Sequence, residues 1–216
     1  MNSGKNLTCF KAYDVRGKLG EEINEEIAYR VGRATAQSQK AKTVVVGFDA
    51  RATSPDLARA VAKGICDAGA DVLDIGLAGT EEVYASVPAF DACAGIEVTA
   101  SHNPIDYNGM KIVKSQSRPL DEAGDFQVIK KLANLQKWDD VAGVGEKLDR
   151  SAEARKAFVD RVLSFVDVKA LRPLKIVVNS GNGAAGPTFD ALAERLLELG
   201  APLDFIRVHH KPDATF

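Results

Sequence analysis

Short apolar, β-branched runs alternate along this chain with amphipathic stretches of helical period, and that rhythm confines it to the layered α/β folds. Thr43–Phe48 (TVVVGF) is apolar nearly throughout, as in a strand covered on both faces. A helix is predicted next, with Ser54 as N-cap and Pro55 at the first helical position. Leu57, Val61, Ile65 and Ala68 share one face of it, and Gly69 ends it. Asp71–Gly76 reads as the next strand. Thr80, Glu81 and Glu82 read as another helix start, because the positive end of the helix dipole favours acids there. Ala94–Val98 is a short apolar run that opens into a polar loop, Thr99–Asn108. Asn108-Gly109 signals a tight turn before a returning strand, Met110–Val113. A helix over 121–137 follows, with Phe126, Ile129 and Leu132 close to one face.

Residues 139–149 lack periodicity and read as a connector. From Ser151, a plausible cap, a second unit begins: a helix with Phe158, Val162 and Phe165 inward, a strand over Leu174–Val178, a helix over Pro187–Leu199 and a strand over Leu203–Val208. The expected architecture is therefore a layered α/β/α domain with a mixed sheet over residues 1–140, then the start of a second, similar α/β domain over 151–216. Two strands and two helices bury too little surface to make a comfortable domain. The chain is accordingly expected to be an N-terminal piece of something longer.

Composition narrows the function. The 216 residues carry a net charge of −2 with acids and bases interspersed, so no basic block exists for nucleic acid or an anionic membrane. Cys9, Cys66 and Cys93 are odd in number and far apart, which favours reduced thiols over a disulfide or metal site. No apolar run approaches a membrane span, and the N-terminal MNSGKNLTCF has no apolar signal segment, so a cytoplasmic location is expected.

The segment best suited to chemistry is Thr99–Pro104, TASHNP. Ser101 lies on a loop at the carboxyl end of an apolar strand, where open α/β sheets place ligands. Asn103-Pro104 is a stiff, extended pair that would hold Ser101 and His102 in one presentation. A phosphocarrying serine needs that fixed hydroxyl with hydrogen-bonding groups beside it; a polar loop capped by Asn-Pro is the plainer reading. Lys111, in NGMKIV, alternates with Met110 and Ile112. It reads either as a general base lodged among apolar neighbours or as an edge-strand lysine that discourages aggregation. Arg16 in Tyr13–Gly17 (YDVRG) and Arg51 after Asp49 offer planar forks suited to phosphate, with ion pairing, to Asp49 in the case of Arg51, as the alternative. The glycine-rich Asn179–Pro187, between a strand and a helix, could cradle phosphate on backbone N–H groups, but it matches neither dinucleotide nor Walker patterns, and a tight turn is the favoured reading. His209 and His210 are adjacent and diverge, which argues against a shared metal.

Taken in order, YDVRG, FDAR, GTEEVY, TASHNP, DYNGMKIV and NSGNGAAGP resemble the α-D-phosphohexomutase superfamily along essentially the whole chain, and most of all its bacterial phosphomannomutase members. The resemblance implies four domains, of which this chain would hold the first and part of the second. It implies that Ser101 is the phosphoserine and a Mg²⁺ ligand through its phosphate. His102 would be its neighbour, Lys111 the general acid/base and Arg16 a catalytic helper, with Tyr13, Asn103 and Arg51 binding substrate phosphate or supporting the loop. It implies interconversion of mannose 6-phosphate and mannose 1-phosphate through a bisphosphorylated hexose, which also acts as activator. The family's remaining Mg²⁺ ligands, on a DGDxDR loop, are absent from this sequence, so the chain alone is expected to be inactive. Glucose or glucosamine phosphates as substrates, or a non-catalytic sugar-phosphate-binding module, are the rival expectations.

Overall fold

The computed structural model describes residues 6–215; the first five residues of the N-terminal segment read above, and Phe216, lie outside the described residues. The elements in order are β1 (Val15–Lys18), α1 (Glu25–Ser38), β2 (Thr43–Phe48), α2 (Ser54–Asp67), β3 (Asp71–Leu77), α3 (Thr80–Ala89), β4 (Ala94–Val98), β5 (Tyr107–Lys114), β6 (Arg118–Pro119), α4 (Asp125–Leu135), β7 (Lys147–Asp149), α5 (Ser151–Leu163), β8 (Leu174–Asn179), α6 (Ala185–Glu198) and β9 (Leu203–Val208). Strands β1 to β7 form one sheet in the order β1-β5-β4-β2-β3-β7, with β6 on β5. β4, β2, β3 and β7 run parallel, while β5 is antiparallel to both β1 and β4. The sheet is mixed, as expected. β8 and β9 pair in parallel as a separate two-stranded sheet.

Strand alternation assigns the two faces. Val44, Val46, Ile96, Met110 and Ile112 point to the side covered by α1, α2 and α4, where Val31, Val61, Ile65, Phe126 and Ile129 complete a single apolar cluster. Val45, Leu73, Ile75 and Val113 point to the other side, against Val83 and Val87 of α3 and Ala154 of α5. This is the α/β/α sandwich. Cys9 lies in the first cluster, and burial pushes its thiol up to about 11, so it behaves as a small apolar side chain. All three cysteines are free thiols.

Several local expectations are corrected. Thr53, not Ser54, takes the N-cap position of α2, and Ser54 is its first residue, buried and engaged elsewhere. Asn108-Gly109 is no turn but lies inside β5. A side chain on Gly109 would collide with the Val15 carbonyl, so this glycine serves the close approach of β1. The connector over 139–149 contains β7, which Gly and charged residues had masked, and the first sheet thus extends to Asp149. In α5 the buried residues are Ala154 and Val159, while Phe158 and Val162 are half-buried and Phe165 is 73% exposed. The helix turns its small residues to α3, which an apolar-residue count favours against.

Candidate active site

The serine loop, the Asp49–Arg51 segment, Gly79 and the glycine-rich turn meet at the carboxyl ends of β2, β3 and β4. Asp49, the residue after β2, is the hub. Its Oδ1 accepts from the Arg51 backbone N–H at 3.0 Å and from the Ser54 hydroxyl at 2.6 Å. Its Oδ2 accepts from the Thr99 hydroxyl at 2.7 Å. Thr99 Oγ1 in turn accepts from the Ser101 N–H at 2.8 Å. Asn108 donates to Thr53 Oγ1 at 2.9 Å and to Ser54 Oγ at 3.0 Å, tying the start of β5 to the start of α2. A polar chain through four elements thus fixes where the Ser101 backbone sits.

Arg51 closes the loop from the other side. Its guanidinium donates to the carbonyls of Ser101 at 3.1 Å, Asn103 at 2.6 Å, Pro104 at 2.8 Å and Tyr107 at 3.2 Å. The ion pair to Asp49 is longer, at 3.5 Å. Arg51 is therefore a clasp on the serine loop, with its donors occupied by backbone, which corrects both phosphate gripping and a simple Asp49 ion pair as its main engagement. Arg51→Ala should free this loop without unfolding the sheet, because the loop is outside both apolar clusters. The expected result is faster hydrogen exchange at the Asn103 and Tyr107 amides, with a stability loss of about 1–3 kcal/mol from carbonyls losing a charged donor. Unchanged exchange at those two amides would show that the clasp is ornamental.

Ser101 itself is exposed and has φ 53°, the left-handed region that non-glycine residues seldom adopt. Its hydroxyl lies 3.4 Å from Nδ1 of the exposed His102. Asn103 anchors the loop through its backbone, its N–H donating to the Ala100 carbonyl at 3.0 Å. Arg16, buried on β1, donates to the Thr99 carbonyl at 3.3 Å and to Asp14 at 2.6 Å. Tyr13 stands 77% exposed on the approach to β1. Lys111 is half-buried on β5, directly opposite Glu97 of β4. With β1 on one side and β4 on the other, β5 is interior, which removes the edge-strand reading of Lys111.

A cleft of about 410 Å³ opens here, lined among others by Arg51, Gly79, Glu97, Ser101, Gly183 and Ala184. The glycine-rich turn thus faces the serine loop. Within the turn, Gly181 and Asn182 take positive φ, and a side chain on Gly186 would collide with the His210 carbonyl, so its composition answers to packing. His210 bonds Asp190 at 2.7 Å and lies 3.3 Å from the Ser180 hydroxyl, away from a metal role. Among the described residues no three His, Cys, Asp or Glu side chains gather to hold a metal ion. Asp49, which bonds the serine loop through Thr99, spends both oxygens on protein donors. The residues present do not fit a Mg²⁺ site by themselves, since this hard cation asks for several oxygen ligands.

Sequence reasoning missed Ser54, Thr99 and Asn108 as parts of this network and Glu97 as part of the cleft wall. The findable signal was positional: all four lie within two residues of a strand or helix end that the apolar pattern had already located.

Residues 7–138 match the family described as phosphoglucomutase/phosphomannomutase, alpha/beta/alpha domain I. A phosphomannomutase of Salmonella montevideo is 52% identical over 98% of this chain, and one of Escherichia coli strain K12 is 50% identical over the same share. In both cases the chain spans 46% of the relative, about half its length. The crystal structure of a phosphoglucomutase/phosphomannomutase family protein from Burkholderia thailandensis superposes with a TM-score of 0.77 at 32% identity, over 95% of this chain and 44% of that one. On the match of the family's first domain to most of the sandwich just described, the chain belongs to the phosphoglucomutase/phosphomannomutase family.

Proposed function

We propose that the protein is a phosphomannomutase, and that Ser101 carries the phosphate passed between the 6- and 1-hydroxyls of mannose. The observation that supports this best is the presentation of Ser101: an exposed hydroxyl on a backbone pinned by the Thr99–Asp49 relay and the Arg51 clasp, at the mouth of the cleft. Phosphoryl transfer depends on positioning and charge stabilisation more than on covalent assistance, so a fixed carrier in a polar cleft is what it requires.

In the proposed cycle the bond from phosphorus to Ser101 Oγ breaks as a bond to the free sugar hydroxyl forms. The hydroxyl proton passes to Nζ of Lys111. The bisphosphorylated hexose turns over, its other phosphate returns to Ser101, and the proton goes back to the newly freed sugar oxygen. His102 lies beside the Ser101 hydroxyl, and Arg16 braces the Thr99 carbonyl one step from it. A phosphorylated Ser101 would offer one oxygen ligand to Mg²⁺, whose chemistry would be charge neutralisation if the rest of the enzyme supplied the remaining ligands. We read the unit of the first sheet, which runs to Asp149 rather than to residue 140, as the domain of the phosphoserine and 151–216 as the start of the next.

The test is a coupled assay of mannose 1-phosphate conversion by a full-length protein carrying these residues, with Mg²⁺ and a bisphosphorylated hexose, run beside the glucose and glucosamine phosphates. Preference for either rival sugar would move the substrate assignment; no activity on any of them would leave only a binding role. In the same assay Lys111→Met should lower kcat by about 10²–10⁴-fold, the usual worth of a positioned proton acceptor. The fold should persist, because a methionine suits an interior strand beside apolar neighbours. Near-normal turnover would return Lys111 to a structural role.

A further inference from the structure

Glu97 is a carboxyl of the cleft wall that the proposed cycle leaves idle, and its placement is unusual. It sits on β4 with 1% exposure, yet it reaches the cleft wall. Its Oε2 finds no hydrogen-bond partner among the described residues. The space it occupies is kept open by Gly47 of β2, where an added Cβ would stand 2.8 Å from that oxygen. On the same sheet face, directly across the β4–β5 ladder, is Lys111. Residues so paired have Cβ atoms about 4.5–5.5 Å apart, within easy reach of two long side chains.

The charged groups around Glu97 are mostly of its own sign. Asp49 stands at the end of β2, and Glu82 and Glu81 on α3; Lys111 is the basic neighbour on β5. Arg155 of α5 is paired with Glu82 at 2.6 Å, and Tyr84 of α3 feels the Glu97 charge in turn. Arg16 of β1 is engaged with Asp14 and Thr99. Burial first, then Asp49 and Glu82, hold the Glu97 carboxyl well above the usual carboxylate range, with Lys111 pulling the other way.

We infer that Glu97 is a positioning residue whose protonation state sets whether Lys111 is free to take the substrate proton. A neutral Glu97 leaves the Lys111 side chain without a fixed counter-charge across the ladder. An ionised Glu97 would pair with the Lys111 side chain across the ladder and hold it away from the substrate. Glu97 neither gains nor loses a bond in the cycle; it acts through Lys111. The carboxyl's isolation supports this: a purely structural buried acid spends its oxygens on hydrogen bonds, whereas Oε2 has none and its nearest opposite charge across the ladder is the proposed base. This inference rests on the mutase reading for its consequence, but its physical core does not.

Two measurements separate the two. In this chain the protonated carboxyl of Glu97 is followed by difference infrared spectroscopy against Glu97→Gln, and its titration midpoint is compared with that in Lys111→Met. The midpoint should rise by about one pH unit or more when the ammonium is lost; an unchanged midpoint overturns the coupling, whatever the enzyme does. In the full-length protein, the alkaline fall in kcat should disappear in Glu97→Gln and return, displaced, in Glu97→Asp, which restores an ionisable acid. Superimposable pH profiles for wild type and Glu97→Gln overturn the role even if the coupling exists. A wild type without mutase activity would sink the proposed function and leave the infrared result to decide the coupling.

Discussion

Ser101→Ala should abolish phosphoprotein formation and lower mutase turnover by more than about 10⁴-fold, as loss of a covalent carrier does, while stability changes by no more than about 0.5 kcal/mol. The disparity follows from geometry. Ser101 is exposed, and its side chain touches only the neighbouring His102, so the fold loses little with the hydroxyl. The groups that place the residue act on its backbone, whose N–H donates to Thr99 Oγ1 and whose carbonyl accepts from Arg51, and alanine keeps both. The left-handed φ is no harder for alanine than for serine. Ser101→Thr is the informative companion. It restores a hydroxyl, but a β-branched residue at positive φ is strained, so it should regain only part of the activity and cost stability that alanine does not. Intact mass before and after incubation with a bisphosphorylated hexose reads the carrier, and the coupled assay reads turnover. A phosphate that still appears on Ser101→Ala protein would place the carrier elsewhere.

How much of this was legible in sequence differs between the fold and the site. Apolar runs bury themselves, and their period is local, so β2, β3, β4 and the helices between them could be read within a residue or two. β7 could not. Its three residues alternate charge with a single leucine, and what makes them a strand is the free edge of β3, a partner more than seventy residues away. Asn108-Gly109 failed for a related reason. As a dipeptide it signals a turn, but Asn108 is drawn into β5 by the Thr53 and Ser54 hydroxyls and Gly109 by the nearness of β1. Local chemistry was overruled by contacts across the sheet. At the site, the serine loop and Lys111 stood out because their residue types are costly to place without purpose. For Arg51 loop support was one of two expectations, but the carbonyls it would hold could not be named, because four backbone carbonyls in one place leave no trace in side-chain identity. Glu97 was hidden in an apolar run, where an acid reads as the polar face of a strand rather than as a buried, unpartnered group.

The largest stability loss is expected from replacing the two glycines where α1 crosses α2. Gly32 and Gly64 both lie in helix interiors, and on propensity alone Gly→Ala at each would stabilise by about 1 kcal/mol. Packing reverses the sign. A methyl on Gly32 would run into the Val61 carbonyl, and one on Gly64 into the Tyr29 carbonyl. Both obstacles are backbone of the facing helix, so neither can rotate aside, and the helices must separate. Separation draws Val31, Val61 and Ile65 away from the cluster they share with β2 and β4. Overpacking of this kind costs about 1–3 kcal/mol, or about 0–2 after the propensity gain, and drawing roughly one aliphatic side chain's worth of surface out of the cluster adds about 2 more, which puts each single variant about 2–4 kcal/mol down. The double variant should fall short of the sum, because one separation serves both methyls. Urea unfolding of this chain measures all three. A more stable Gly64→Ala would mean that the crossing is looser than its backbone contacts require. The same variants should also disturb the site, since the first residue of α2, Ser54, holds Asp49, and Asp49 holds the relay to Ser101. Faster exchange at the Ser101 amide in Gly64→Ala, under conditions where the chain stays folded, would trace that path from a helix crossing to the proposed phosphate carrier.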